Sequence, residues 1–186
     1  MMLGTYDFCG HYAWTFAWLK ERLGDEGLEE YWLEAVSKDS QRHAREAFAD
    51  GFDGMERYWG RTLASEGAGW TSGRHVVDGE EVMRIDMYAC PSKGFLLRNG
   101  LGFGIDYCSH CAAWIEPALE EAGFSADHEH DHLGHCWWEI RALESEREAS
   151  LPADLSGDED VRLGDAWSEG TVHRVERVRS TGRRKG

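Results

Sequence analysis

The sequence predicts an α+β domain in which N-terminal helices pack with a small antiparallel sheet of two hairpins and a long central helix. Three observations carry this expectation. Helical periodicity fills the first 65 residues, and alternating segments follow only after it. The dipeptide "DG" at 78–79 lies between two such segments, a hairpin signal. A second pair of strand-like segments comes after a further helical stripe near the end of the domain. Helices and strands are thus segregated along the chain rather than alternating, which is the α+β pattern.

Taken in order, a first helix is expected over 12–23, where Phe16, Leu19 and Leu23 repeat at three- and four-residue spacing and Gly24 ends the run. A second is expected over 28–49, with acidic residues in its first turn and Trp32, Val36, His43 and Ala47 along it. Asp39 stands four residues before His43, the spacing of a pair that could orient the imidazole. A third helical piece, 53–65, holds Met55, Tyr58, Trp59 and Leu63 before "ASEGAGWTSG" breaks the pattern. Strands are expected over 70–77 and 81–89, then a turn and short helix in "CPSKGFLLRNG". Asp106 reads as an N-cap for a helix whose stripe is Cys108, Ala112, Ile115 and Leu119, ending near Gly123. Residues 124–132 and 136–143 make the last strand pair.

The domain is expected to span 1–150. Beyond it the chain turns polar and breaker-rich and then basic, which reads as a largely disordered tail over 151–186. The seven acidic and seven basic residues of that tail cancel, so the net charge of −15 belongs to the domain. Such acidity argues against nucleic acid as a partner of the domain. No segment approaches the roughly 20 apolar residues of a membrane span. The N-terminus has no basic leader ahead of its apolar stretch, and the five cysteines are odd in number. Reduced thiols in the cytoplasm follow as the expectation.

The chemistry gathers in two stretches. "DYCSHCAAW" puts Cys108 and Cys111 three residues apart, on one face of the expected helix. Cys108 would fall in the first turn, where the helix dipole lowers a thiol pKa. "DHEHDHLGHCWWE" supplies four histidines and Cys136. A c-type haem is excluded because Ala112 follows the second cysteine, where that motif needs histidine. A thioredoxin-like redox pair would want a βαβ setting that the element order does not offer. A zinc or iron site would draw on Cys108 and Cys111 as the close pair, with Cys90, His135 and Cys136 as further ligands. Against it stands the plain reading in which Cys90 and Cys136 are small buried apolar groups. His128, His130 and His132 share one face of a strand and would either line a polar site or form a solvated edge.

Residues 90–140 resemble the L-2-amino-thiazoline-4-carboxylic acid hydrolase family. The resemblance rests on "ACPSKGF", "DYCSHCAAW" and "LGHCWWEI", and with the preceding helices it covers roughly residues 10–143. The chain departs from that pattern twice: Cys111 and His135 stand where the family has aspartates. Both changes exchange oxygen for softer sulfur and nitrogen, the direction that suits zinc or iron. The resemblance implies an enzyme acting on a small molecule by hydrolysis.

The functional expectation is therefore a small-molecule hydrolase acting on a C–N bond through a Cys/His centre. Cys108 as thiolate would attack an electrophilic carbon while His132 or His135 moves protons. With a metal bound, a metal-activated water would attack instead, with a histidine or Glu139 as base. Trp114, Trp137 and Trp138 would wall the substrate site. The alternative is a non-catalytic sensory domain that holds a metal or small ligand with the same residues; a third reading has the cysteines merely packed.

Overall fold

The computed structural model describes residues 5–101, 107–130, 135–149 and 178–181. Helix α1, Thr5–Glu30, begins earlier than the apolar spacing suggested and continues beyond Gly24. The expected break is nevertheless there: Gly24 has φ 76° and ψ −174°, so two helical runs meet at a kink that only glycine adopts readily. The expected helix over 28–49 is divided. A π-helical segment, Tyr31–Ser40, leads into α2, Arg42–Phe48. At the junction the Gln41 N–H donates to the Val36 carbonyl five residues back, at 3.1 Å. The wider turn brings Trp32, Val36 and Ser37 inward together. Ser37 Oγ then donates to the Trp114 carbonyl at 2.9 Å, tying this segment to the central helix.

Helix α3, Gly51–Glu66, closes on left-handed Gly67. Strands β1, Gly69–Val77, and β2, Glu80–Ala89, form the expected hairpin. Asp78 and Gly79 both take positive φ, 54° and 85°, as a two-residue type I′ turn demands. Helix α4, Pro91–Arg98, starts with proline in its first turn, and the Cys90 sulfur accepts from the Lys93 N–H at 3.4 Å as its cap. The central helix α5 is Ser109–Glu121, with Cys108 at the N-cap position; Asp106, the expected cap, lies outside the described residues. The second hairpin is β3, Phe124–His130, and β4, Cys136–Ala142.

The two hairpins join through β2 and β4 into a four-stranded antiparallel sheet. A fifth strand, β5, Val178–Thr181, pairs with β3, giving the order β1-β2-β4-β3-β5. Four residues of the 151–186 stretch thus join the sheet of the domain. The outer edge of β3 carries backbone donors and acceptors that need partners, and a segment with Val178 and Thr181 at its ends supplies them.

Register gives the sheet two different faces. Met83, Ile85 and Met87 of β2 stand beside Ile140, Trp138 and Cys136 of β4, which stand beside Ala126, His128 and His130 of β3. This face meets the helices: Met83, Ile85, Ala126, Trp138 and Ile140 share a core with Phe48, Met55, Ala112 and Leu119. Alternation sends Arg84, Asp127, Glu139 and Arg141 to the other face. There Arg141 bonds Asp127 through both nitrogens at 3.0 and 3.3 Å, with each side chain 1% exposed. Residues 145–149 run across it, Arg147 pairing with Glu139 and the Ala149 N–H donating to Asp127 at 2.7 Å. A second core, built from Cys9, Phe16, Trp32, Leu96 and Tyr107, lies between α1, the π-helical segment and α4. Among the described residues no helix is long and apolar enough to cross a membrane.

Candidate functional site: a thiol cluster with a Cys–His contact

The antiparallel pairing of β2 with β4 sets the site. Met87 lies opposite Cys136, so the end of β2, with Cys90 just beyond Ala89, adjoins the start of β4. Helix α5 packs over β3 and the π-helical segment and brings Cys108 and Cys111 to the cluster. Cys111 and Cys136 both border the helix-covered core. The result gathers the sulfurs that the sequence placed in three separate motifs. The Cys111 thiol is pushed well above its ordinary pKa, first by burial and then by Cys108, Cys90 and Cys136, with Glu66 adding to the effect. Cys111 still keeps part of its surface accessible, whereas Cys108 is buried.

Cys9 belongs to the same neighbourhood. The Tyr107 hydroxyl bonds Ser92 Oγ at 2.7 Å and is held protonated chiefly by burial, with Cys9, Cys111 and Cys90 contributing. Burial likewise raises the Cys9 thiol, against hydrogen bonds to Ser92 and Tyr107. All five cysteines of the chain therefore act on Tyr107 or Cys111, either directly or as neighbours of one another.

The most specific contact involves a residue that spacing did not single out. His110 is 4% exposed; its Nδ1 bonds the Tyr107 carbonyl, and its Nε2 lies 3.5 Å from Cys111 Sγ. A carbonyl can only accept, so Nδ1 carries the proton and Nε2 is left as the acceptor for the thiol. Four aromatic rings hold the imidazole: Trp114 and Tyr107 have centroids 4.3 and 4.4 Å away, Phe16 5.4 Å, Trp32 6.4 Å. The arrangement offers a thiol, an imidazole nitrogen within reach of it, and a third group that orients the imidazole. The signal was in "CSHC" itself, but i, i+3 reasoning pairs the two cysteines and passes over the histidine between them.

The other expected residues fall as follows. Cys108 sits at the N-cap with no side-chain capping bond. Glu139 is corrected as a base: it is fully buried on the opposite sheet face, its two oxygens taken by Arg84 at 2.8 Å and by Arg147. His135 is buried just ahead of β4. His132 lies outside the described residues. His128 and His130 are buried at 1% and 4%, not a solvated edge, because β5 covers the flank of β3 and helices cover its face. The His128 ring stacks on Trp138 at 4.1 Å and lies 5.2 Å from His130. The Trp114 ring lies against His110, whereas Trp137 belongs to the far face. His43 bonds the Tyr58 hydroxyl at 3.1 Å instead of pairing with Asp39.

Among the described residues no three His, Cys, Asp or Glu side chains are arranged to hold a metal ion. The gathered sulfurs do not fit zinc or iron as they stand. Comparison with known family models, curated proteins and solved structures finds no match to this chain.

Proposed function

We propose that the protein is a small-molecule hydrolase that opens a C–N bond through Cys111 as nucleophile and His110 as base. The reading rests on one observation: His110 Nε2 lies 3.5 Å from Cys111 Sγ while the Tyr107 carbonyl holds Nδ1. It keeps the reaction class that the family resemblance implies and moves the nucleophile from Cys108 to Cys111. The raised pKa keeps Cys111 a neutral thiol at rest. Attack is then a general-base step. Sulfur bonds to the C=N or C=O carbon as His110 takes the thiol proton; the nitrogen leaving group collects that proton from His110; water then cleaves the acyl- or imidoyl-sulfur bond. The aromatic rings around His110 favour the transient imidazolium by cation–π attraction. Cys111 is the third residue of α5, where the helix dipole stabilises negative charge developing in the transition state. No step is routed through a metal. Free thiols belong in a reducing compartment, which favours the cytoplasm.

The test has two parts. Iodoacetamide labelling with peptide mapping should place the first adduct on Cys111, and His110→Asn should slow it by about a hundredfold or more at pH 7. In that variant the rate should go on rising above pH 9, because the thiol must ionise unaided. A panel of amides and cyclic and acyclic amidines should then show amine or ammonia release that Cys111→Ala abolishes. Equal labelling of several cysteines, indifferent to His110→Asn, would sink the assignment.

A further inference from the structure

We propose that Cys108 and Cys111 close a disulfide with a small-molecule disulfide as oxidant, and that this closure switches the Cys111–His110 centre off. The inference rests on that centre being the working site.

The backbone already holds the two cysteines in one turn. The Cys111 N–H donates to the Cys108 carbonyl at 3.1 Å, which fixes them as i, i+3 neighbours at the start of α5. Such neighbours have Cβ atoms roughly 5–6 Å apart, and a disulfide needs about 3.5–4.5 Å. The remaining gap is of order 1–2 Å. Cys108 can supply that movement, because it is the N-cap residue rather than an interior one. Cys90 and Cys136 also act on Cys111, but they stand on different elements, one capping α4 and one opening β4 within the paired sheet. Closing on either would draw two different elements together; closing on Cys108 moves one residue within a single turn of α5.

The chemistry follows from the contact already described. His110 Nε2 takes the Cys111 proton, and the thiolate attacks one sulfur of the disulfide RSSR. That S–S bond breaks and the departing RS⁻ takes the proton from His110 as RSH. The Cys108 sulfur then attacks the Cys111 sulfur of the mixed disulfide, giving up its proton, and the second RSH leaves. Two cysteine thiols have lost two electrons to RSSR, which ends as two RSH. A thiol of high pKa is intrinsically the stronger nucleophile once deprotonated, so an adjacent base makes Cys111 the natural first attacker and Cys108 the resolving thiol. After closure no S–H remains to donate to His110, and no nucleophile remains at the centre.

The experiment uses the full chain, reduced and then incubated with oxidised glutathione. Free thiols are blocked with N-ethylmaleimide and the peptides are mapped by mass spectrometry. The expected product is a Cys108–Cys111 cross-link, loss of iodoacetamide labelling at Cys111, and recovery with dithiothreitol. Cys108→Ser should stop at one glutathione per chain, held on Cys111. A cross-link from Cys111 to Cys90 or Cys136, or free Cys108 and Cys111 after oxidation, overturns the proposal. The cross-link is read by mass alone, so its failure is distinct from absence of amidine or amide hydrolysis, which bears on the catalytic reading instead.

Discussion

Burial, three neighbouring thiols and one carboxylate resist the ionisation of Cys111. Glu66, at the end of α3, has its own pKa raised from the ordinary 4.5 by burial. An acid with a raised folded-state pKa binds more protons folded than unfolded, so its contribution is fully present below about pH 4.5 and is lost as pH rises through the folded value. Glu66 therefore weakens the fold at neutral pH. Glu66→Gln should raise the urea midpoint at pH 7 and leave it nearly unchanged at pH 4, and an equal gain at both values would refute this sign. The same substitution removes one of the groups that hold the Cys111 thiol protonated. Iodoacetamide labelling of Cys111 should accordingly quicken in Glu66→Gln; an unchanged rate would place the Glu66 charge too far away to matter.

Among the elements, α3 shows how the same residue type serves different ends within one helix. At Gly54 an added methyl would run into the backbone carbonyl of Ala47, where α2 and α3 pack. At Gly60 it would meet nothing within 4 Å. Gly54→Ala should destabilise the protein by about 1–3 kcal/mol, as overpacking against backbone does. Gly60→Ala should stabilise it by about 0.5–1 kcal/mol through helix propensity alone. Denaturant unfolding of the two variants side by side checks both, and matching signs would show that α2 and α3 do not approach as described. The π-helical segment matters in a related way. Its wide turn places Ser37 against the Trp114 carbonyl, and Trp114 in turn lies on the His110 ring. Local helix geometry is thus connected to the orientation of the His110 ring by two contacts.

At the level of the whole molecule, the sheet separates chemistry from anchoring. One face carries Cys136, His128 and His130 toward the helices, and the other buries ion pairs beneath residues 145–149. Asp127 and Arg141 are both 1% exposed and doubly bonded, so removing one leaves the other charged and without its partner in a dry setting. Asp127→Ala should cost about 3–5 kcal/mol in urea unfolding. It should also loosen residues 145–149, whose Ala149 N–H bonds that carboxylate, and hydrogen exchange at Ala149 reports this directly. A loss of less than about 1 kcal/mol, the range of exposed pairs, would mean that water reaches Arg141.

Much of this was legible in one dimension. Periodicity placed α1, α3, α5 and the four hairpin strands, "DG" placed the type I′ turn, and Gly24 marked a real break, because each of these depends on the conformational preferences of a few consecutive residues. The cysteine motifs were legible for the same reason: their residue types cluster visibly along the chain, and they supply three of the thiols that raise the Cys111 pKa. Tertiary structure alone decided which partner each of them met. The register of β2 with β4 turned Glu139 toward Arg84 and away from the thiols, and β5 covered the flank of the histidine strand. Packing against Phe16, Trp32, Tyr107 and Trp114 aimed His110 at Cys111 rather than into solvent. Burial, charge pairing and proton affinity are set by neighbours brought from distant parts of the chain, and no local pattern records which neighbours those are.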